Sequence, residues 1–168
     1  ARTLVRMVEE DAKPSGERLR EFRSSNRDSL RQALFSDAPI YDDLETLGLA
    51  DSLSLYAELV GMRDPLLQTV LAGKSPRQRA AELVAGSQLQ KVDLRKQLAE
   101  GGKPAIAASQ DPLIVLARAV DAAAREVRKR YEEQVEEPQR QAYARLADAR
   151  FRLLGTDTYP DATFTLRL

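Results

Sequence analysis

Three groupings in this chain carry residue types that could do chemistry. Gly73-Lys74-Ser75 has the ending of a phosphate-binding loop, where backbone N–H groups and a lysine cradle phosphate oxygens. Asp42, Asp43 and Glu45 gather carboxylates of the kind a hard cation takes as ligands. Arg125, Arg128, Lys129 and Arg130 form a basic run that could face phosphates.

Each grouping also has a plainer explanation. The first glycine of a phosphate loop would fall at Gln68, and the residues before Gly73 have helical rather than strand spacing. A helix stop followed by the cap of the next helix accounts better for Gly73-Lys74-Ser75. Carboxylates in a first helical turn interact favourably with the helix dipole, which explains Asp42, Asp43 and Glu45; metal binding is the other reading. The basic run is followed at once by Glu132, Glu133, Glu136 and Glu137, which would repel phosphates. A solvated helix face fits this block, and so does a charged ridge docking on another domain.

Composition removes whole reaction classes. There is no His and no Cys, so neither a Ser–His–Asp nor a Cys–His unit can be assembled from these residues. Thiolate zinc sites, His-based zinc sites and Glu-x-x-His di-iron sites are likewise excluded, and no Ser stands three residues before a Lys. No catalytic, cofactor-binding or metal-binding residue is assigned, and no cofactor is expected. Lys+Arg and Asp+Glu balance at 26 each, so no global field favours nucleic acid or anionic lipid. No apolar run approaches the roughly 20 residues of a membrane span. Residue 1 is Ala rather than Met, which points to a processed or recombinant piece.

The elements that would position these groups are helices. Apolar residues are 43% of the chain but aromatics only 5%, so the core must be Leu, Ala and Val. The longest periodic stretch runs from the cap Asp111-Pro112 to the stop Gly155. Its stripe is Leu113, Leu116, Val120, Ala124, Val127, Tyr131, Val135, Ala142, Leu146, Ala149 and Leu153. A helix of that length would extend roughly 65 Å. Pro138 lies inside it and predicts a kink or break. Tyr131 and Tyr143 are expected to pack along it, with their hydroxyls at the edge.

Earlier, Leu4, Val5, Val8 and Ala12 predict a helix over 1–12. Leu19, Phe22, Leu30, Leu34 and Phe35 predict one helix, or two parted near Ser24-Ser25, either serine being a possible cap. Asp37-Ala38-Pro39, Asp64-Pro65, Ser75-Pro76 and Asp111-Pro112 each join a short polar cap to a proline in the first turn. Glycine stops follow at Gly61, Gly73, Gly86, Gly101-Gly102 and Gly155. The expected helices are 39–60, with Gly48 as a candidate bend, then 65–72, 76–85, 91–100, 104–109 and 112–154. The fold class is therefore all-α, an irregular multi-helix bundle with one long C-terminal helix.

Beyond Gly155 the pattern changes. Thr156-Asp157-Thr158 is turn-like, and Phe164, Leu166 and Leu168 alternate with Thr163, Thr165 and Arg167. That alternation predicts a half-buried β-strand at 162–168 with no strand elsewhere to pair with. An unpaired strand leaves backbone groups unsatisfied. The division expected is 1–155 as a helical domain, and 156–168 as a turn and first strand of a β-domain lying beyond.

Tyr159-Pro160-Asp161-Ala162-Thr163-Phe164-Thr165-Leu166-Arg167 resembles a motif of bacterial serine dipeptidyl-peptidases of the 7 and 11 type. Leu71-Ala72-Gly73-Lys74-Ser75-Pro76, Ala80-Ala81-Glu82-Leu83-Val84, Arg95-Lys96 and Ser109-Gln110-Asp111-Pro112 are similar to the same family. Thr163 departs from the Asn common in that motif, which leaves the subgroup and the side-chain preference open. The resemblance implies a chymotrypsin-like double β-barrel with a helical domain inserted between its catalytic parts. Such enzymes release dipeptides from peptide N-termini outside the cytoplasm, typically in the periplasm, and are usually homodimers. The helical domain would cover the cleft and limit its length. Its partners would be the peptide substrate and the enzyme's own barrel, with neither nucleic acid nor membrane. The triad would lie outside this stretch. Tyr159, Pro160, Asp161, Ala162 and Arg167 carry over as structural motif residues only. A free-standing helical interaction module is the alternative reading.

Overall fold

Leu4, Val5, Met7 and Val8 all turn inward from the first helix, α1 (Arg2–Asp11). In a computed structural model of the chain, residues 1–155 are described. The expected strand at 162–168 and the motif residues Tyr159, Pro160, Asp161, Ala162 and Arg167 lie outside the described residues. The described residues form nine α-helices and no strand, which agrees with the all-α expectation. They fall into two compact units, Ala1–Ala122 and Ala123–Leu168, the second described as far as Gly155.

In the first unit α1 is followed by three short 3-10 turns, Ser15–Glu17, Arg20–Phe22 and Ser24–Asn26. Then come α2 (Arg27–Leu34), α3 (Asp42–Val60), α4 (Pro65–Leu71), α5 (Pro76–Gly86), α6 (Val92–Glu100), α7 (Gly102–Ala108) and the first part of α8 (Pro112–Tyr131), whose residues from Ala123 belong to the second unit. Its core has two centres. One joins Leu4, Val5 and Val8 of α1 to Leu98, Ile106, Ile114 and Ala117. The other gathers Leu53 with Leu67, Val70 and Leu71, and Leu116 and Val120 pack against it. The start of α8 thus serves both centres, with Ile114 and Ala117 on one face and Leu116 and Val120 on another.

Two buried charges tie α1 down. Arg6 Nε donates to Asp121 Oδ1 at 2.7 Å, with both side chains largely out of water. Glu10 is fully buried; one carboxylate oxygen accepts from Lys13 Nζ and the other from the Leu19 backbone N–H, both at 2.8 Å. A buried carboxylate is tolerable only with such partners.

That second anchor explains a departure from the predicted helices. The segment around Leu19 and Phe22 forms 3-10 turns rather than a helix. Glu10 captures the amide of Leu19, Ser15 Oγ accepts from Ser24 N–H, and Asn26 Nδ2 donates to the Arg20 carbonyl. These bonds divert the backbone from a continuous helical ladder. Neither serine caps α2; its N-cap is Asn26, without a side-chain bond.

Three of the four expected caps form. Asp64 accepts from Leu67 N–H at 2.8 Å, Ser75 and Gln78 complete a reciprocal capping box, and Asp111 accepts from Leu113 and Ile114 N–H. Asp37 does not cap. Helix α3 starts at Asp42, with Tyr41 at its N-cap and no side-chain bond. A helix capped by Asp37 would place Ala38 in a helical conformation directly before Pro39, which the proline ring disfavours. Ser36 instead holds the turn: its hydroxyl accepts from Ala38 N–H, and its carbonyl accepts from Arg95 Nη2. Helix α3 then runs through Gly48 without interruption.

The stop after α4 comes one residue early. Ala72 is already left-handed at φ 50°, and Gly73 follows at φ 75°. At the Gly101 stop glycine is needed for space. A Cβ on Gly101 would lie 2.5 Å from Ala105 Cβ, because α7 turns back immediately after α6.

In the second unit the helical chain is carried past Pro138 rather than broken. Residues Glu132–Glu136 form a π-helical turn, in which Glu137 N–H reaches the Glu132 carbonyl, and α9 (Glu137–Leu154) follows. A proline cannot donate to the carbonyl four residues back, and its ring crowds that carbonyl. A wider turn just ahead of it is a known local accommodation. The expected packing of the long stripe holds only at its start. Val127, Tyr131, Val135, Tyr143, Leu146 and Leu153 are exposed, so the two tyrosines do not pack as predicted.

Candidate functional site

The three chemical groupings all lie at helix ends. Lys74 and Ser75 sit between α4 and α5, with Ser75 capping α5. Lys74 Nζ donates to Glu82 Oε2, and Arg79 Nη1 donates to the same oxygen at 3.2 Å. No strand precedes Gly73, so no phosphate loop is formed. Asp42, Asp43 and Glu45 occupy the first turn of α3, and among the described residues no acidic or His/Cys group is arranged to hold a metal ion. The basic run ends α8 and the glutamates form the π turn after it. Arg128 Nε donates to Glu132 Oε1 at 2.6 Å.

The Lys74–Glu82–Arg79 group carries a pH prediction. The hydrogen bond from Lys74, helped by the one from Arg79, holds the Glu82 carboxyl below the usual glutamate range. A carboxyl depressed on folding contributes stability above its unfolded pKa and loses it as pH falls through the folded value. Glu82→Gln is therefore expected to be slightly less stable than the parent chain at neutral pH and equally stable in strong acid. Urea unfolding at the two pH values measures this; a gap that widens in acid would refute it.

Two polar features were not anticipated from the sequence. The first is the junction at Asp111. Besides capping α8, its carboxylate accepts from Ser87 Oγ at 3.0 Å and from Gln88 N–H at 2.8 Å, fastening the α5–α6 loop to the start of α8. The second is Arg95, a buried cation that also lines a cavity of about 190 Å³. Leu4, Leu34, Ile40, Leu89 and Leu113 form the cavity's apolar wall, with Asp42 and Glu45 at its edge. Small-molecule sites usually run to roughly 300–1,000 Å³, so this space suits a few waters better than a substrate. Neither feature contains a nucleophile with a base.

The surface of α3 is the more informative property. Leu44, Leu47, Leu55 and Leu59 are exposed on a helix whose Ala50 and Leu53 are buried. A helix apolar on several sides is characteristic of one enclosed by further protein. The signal was legible in the sequence, since apolar residues from Leu44 to Val60 do not keep to one stripe.

The family model for peptidase S46 matches residues 1–168, the whole chain. The chain belongs to the peptidase S46 family. This is the family of dipeptidyl-peptidases 7 and 11, so the resemblance drawn from the Tyr159-Pro160-Asp161-Ala162 motif holds. A comparison with curated proteins finds no match. The described residues form a helical body that contains no histidine.

Proposed function

We propose that this chain is the helical, substrate-restricting domain of a serine exopeptidase that releases dipeptides from peptide N-termini. The observation that carries the reading is chemical. A sequence matching a serine-peptidase family from end to end contains no histidine, so serine acyl transfer of the Ser–His–Asp kind must draw its base from elsewhere. The barrel carrying the triad would be that source, and 156–168 would lead into it. The exposed leucines of α3 support the reading, because a domain that covers a cleft needs apolar surface to bury against its neighbour. Closing one end of a cleft limits how much peptide can lie beyond the scissile bond, and helices achieve this without a cofactor. By family resemblance the enzyme acts outside the cytoplasm, in the periplasm.

The test compares the parent enzyme with this chain on dipeptidyl fluorogenic substrates. The parent should release the dipeptide and reject the same substrate with a blocked N-terminus; this 168-residue chain alone should cleave neither. Cleavage by the isolated residues, or equal cleavage of blocked substrates by the parent, would sink the reading. The same exposed leucines also favour a second reading, a helical interaction module with no catalytic partner. That reading requires the parent to be inactive on both substrates.

A further inference from the structure

Arg6 and Arg95 are both buried in the first unit, and they meet their burial differently. Arg6 is paired with Asp121 at 2.7 Å. Arg95 is only 8% exposed, yet among the described residues it pairs with no carboxylate. Its Nη2 donates to the Ser36 carbonyl at 2.8 Å, and its buried Nε finds no acceptor among them. A guanidinium keeps its charge at any accessible pH, so burial cannot be relieved by losing a proton. A buried cation needs an opposite charge as well as acceptors for its donors, and one neutral carbonyl supplies neither in full.

Arg95 stands on the lining of the cavity of about 190 Å³, whose wall is built from Leu4, Leu34, Leu89 and Leu113 among others. We propose that this cavity takes a short-chain aliphatic monocarboxylate, with its carboxylate on Arg95 Nε and its alkyl tail against those leucines. A carboxylate oxygen is the acceptor that forms a strong, charge-assisted bond with a guanidinium N–H. The space is below the size of a peptide site, but it equals the share of roughly six liquid waters. Butyrate has about as many non-hydrogen atoms. An inorganic anion would balance the charge and leave the leucines without contacts, and an amine would be repelled. Asp42 and Glu45, also on the lining, are exposed, so water screens their repulsion. Nothing here depends on the peptidase reading, which would survive the failure of this site.

The test is a titration of the full 168-residue chain with sodium butyrate, followed by NMR at the Arg95 Nε–H. The Arg95→Lys chain, which keeps the charge, assigns that signal by its disappearance. Butyrate should shift the signal saturably, with a dissociation constant on the order of 1 mM, as suits so small a ligand. Sodium chloride at the same ionic strength and butylammonium should each act at least about tenfold more weakly. By calorimetry the Arg95→Met chain should lose at least about tenfold in butyrate affinity, with circular dichroism reporting whether it keeps its helices. Should that chain fail to fold, the comparison of butyrate, chloride and butylammonium on the parent chain decides alone. An Nε–H signal that butyrate leaves unmoved overturns the proposal. So does chloride acting as strongly as butyrate, which would mean charge neutralisation without a tail site. Butyrate binding that survives in a folded Arg95→Met chain also overturns it, because another cation on the lining, the Ala1 amino group, would then be the anchor.

Discussion

Leu67→Ala is expected to lower the stability of the first unit by about 3–4 kcal/mol. Leu67 has no exposed surface and lies at the centre of the cluster formed with Leu53, Val70 and Leu71. Truncation removes the transfer free energy of its branched side chain and leaves a cavity that the surroundings fill only in part. Collapse is restricted here, because Leu67 is pinned at both ends of a short helix. Its own N–H is held by Asp64, and α4 ends four residues later at Leu71, just before the left-handed Ala72. The Leu67→Met chain, nearly equal in volume, should lose less than about 1.5 kcal/mol. Denaturant midpoints with unchanged slope would establish both figures; a loss below about 1 kcal/mol for the alanine would show that the site relaxes freely.

Asp111→Ala is expected to cost about 3 kcal/mol, more than an ordinary helix cap, whose loss is typically about 1 kcal/mol. The difference comes from the second set of bonds. The same carboxylate that caps Leu113 and Ile114 also accepts from Ser87 Oγ and Gln88 N–H, and Ser87 is buried. Alanine leaves the buried Ser87 hydroxyl without that acceptor, whereas the exposed Gln88 N–H can turn to water. Asp111→Asn separates the two contributions. Asparagine caps a helix about as well as aspartate, but its single carbonyl oxygen cannot serve both the cap and the Ser87–Gln88 loop. The asparagine chain should fall between the other two. Amide exchange at Gln88 should rise in both variants and rise most in the alanine. Equal stability of Asp111→Asn and Asp111→Ala would place the whole effect in the cap-independent bonds.

Much of the helical layout follows from local chemistry. Asp64-Pro65, Ser75-Pro76 and Asp111-Pro112 begin helices as read, since a cap and a first-turn proline act within one turn and need no distant partner. The cap at Asp37 and the helix through Leu19 and Phe22 failed for the opposite reason. Distant side chains decided those segments: Arg95, 59 residues from Ser36, holds the turn there, and Glu10 captures the amide of Leu19. A sequence window cannot show that such a competitor will be present. The same limit applies to Arg95 and Asp111 as polar centres. Each looks like an ordinary surface or cap residue until the loop it fastens is brought alongside.

The long stripe from Leu113 to Leu153 shows the division most directly. Periodicity established that these residues share a helix face, because 3.6 residues per turn is a property of the backbone alone. It did not establish which part of the face is covered. Leu113 and Leu116 pack into the cores of the first unit, while Leu146 and Leu153 meet solvent. By itself the sequence determined the helical class, most helix starts, the family, and the absence of a histidine-based site. Only the tertiary structure decided where the irregular turns fall, which apolar faces are left open and how Pro138 is accommodated. Those outcomes depend on contacts between residues far apart in the chain, whose energies no local pattern encodes.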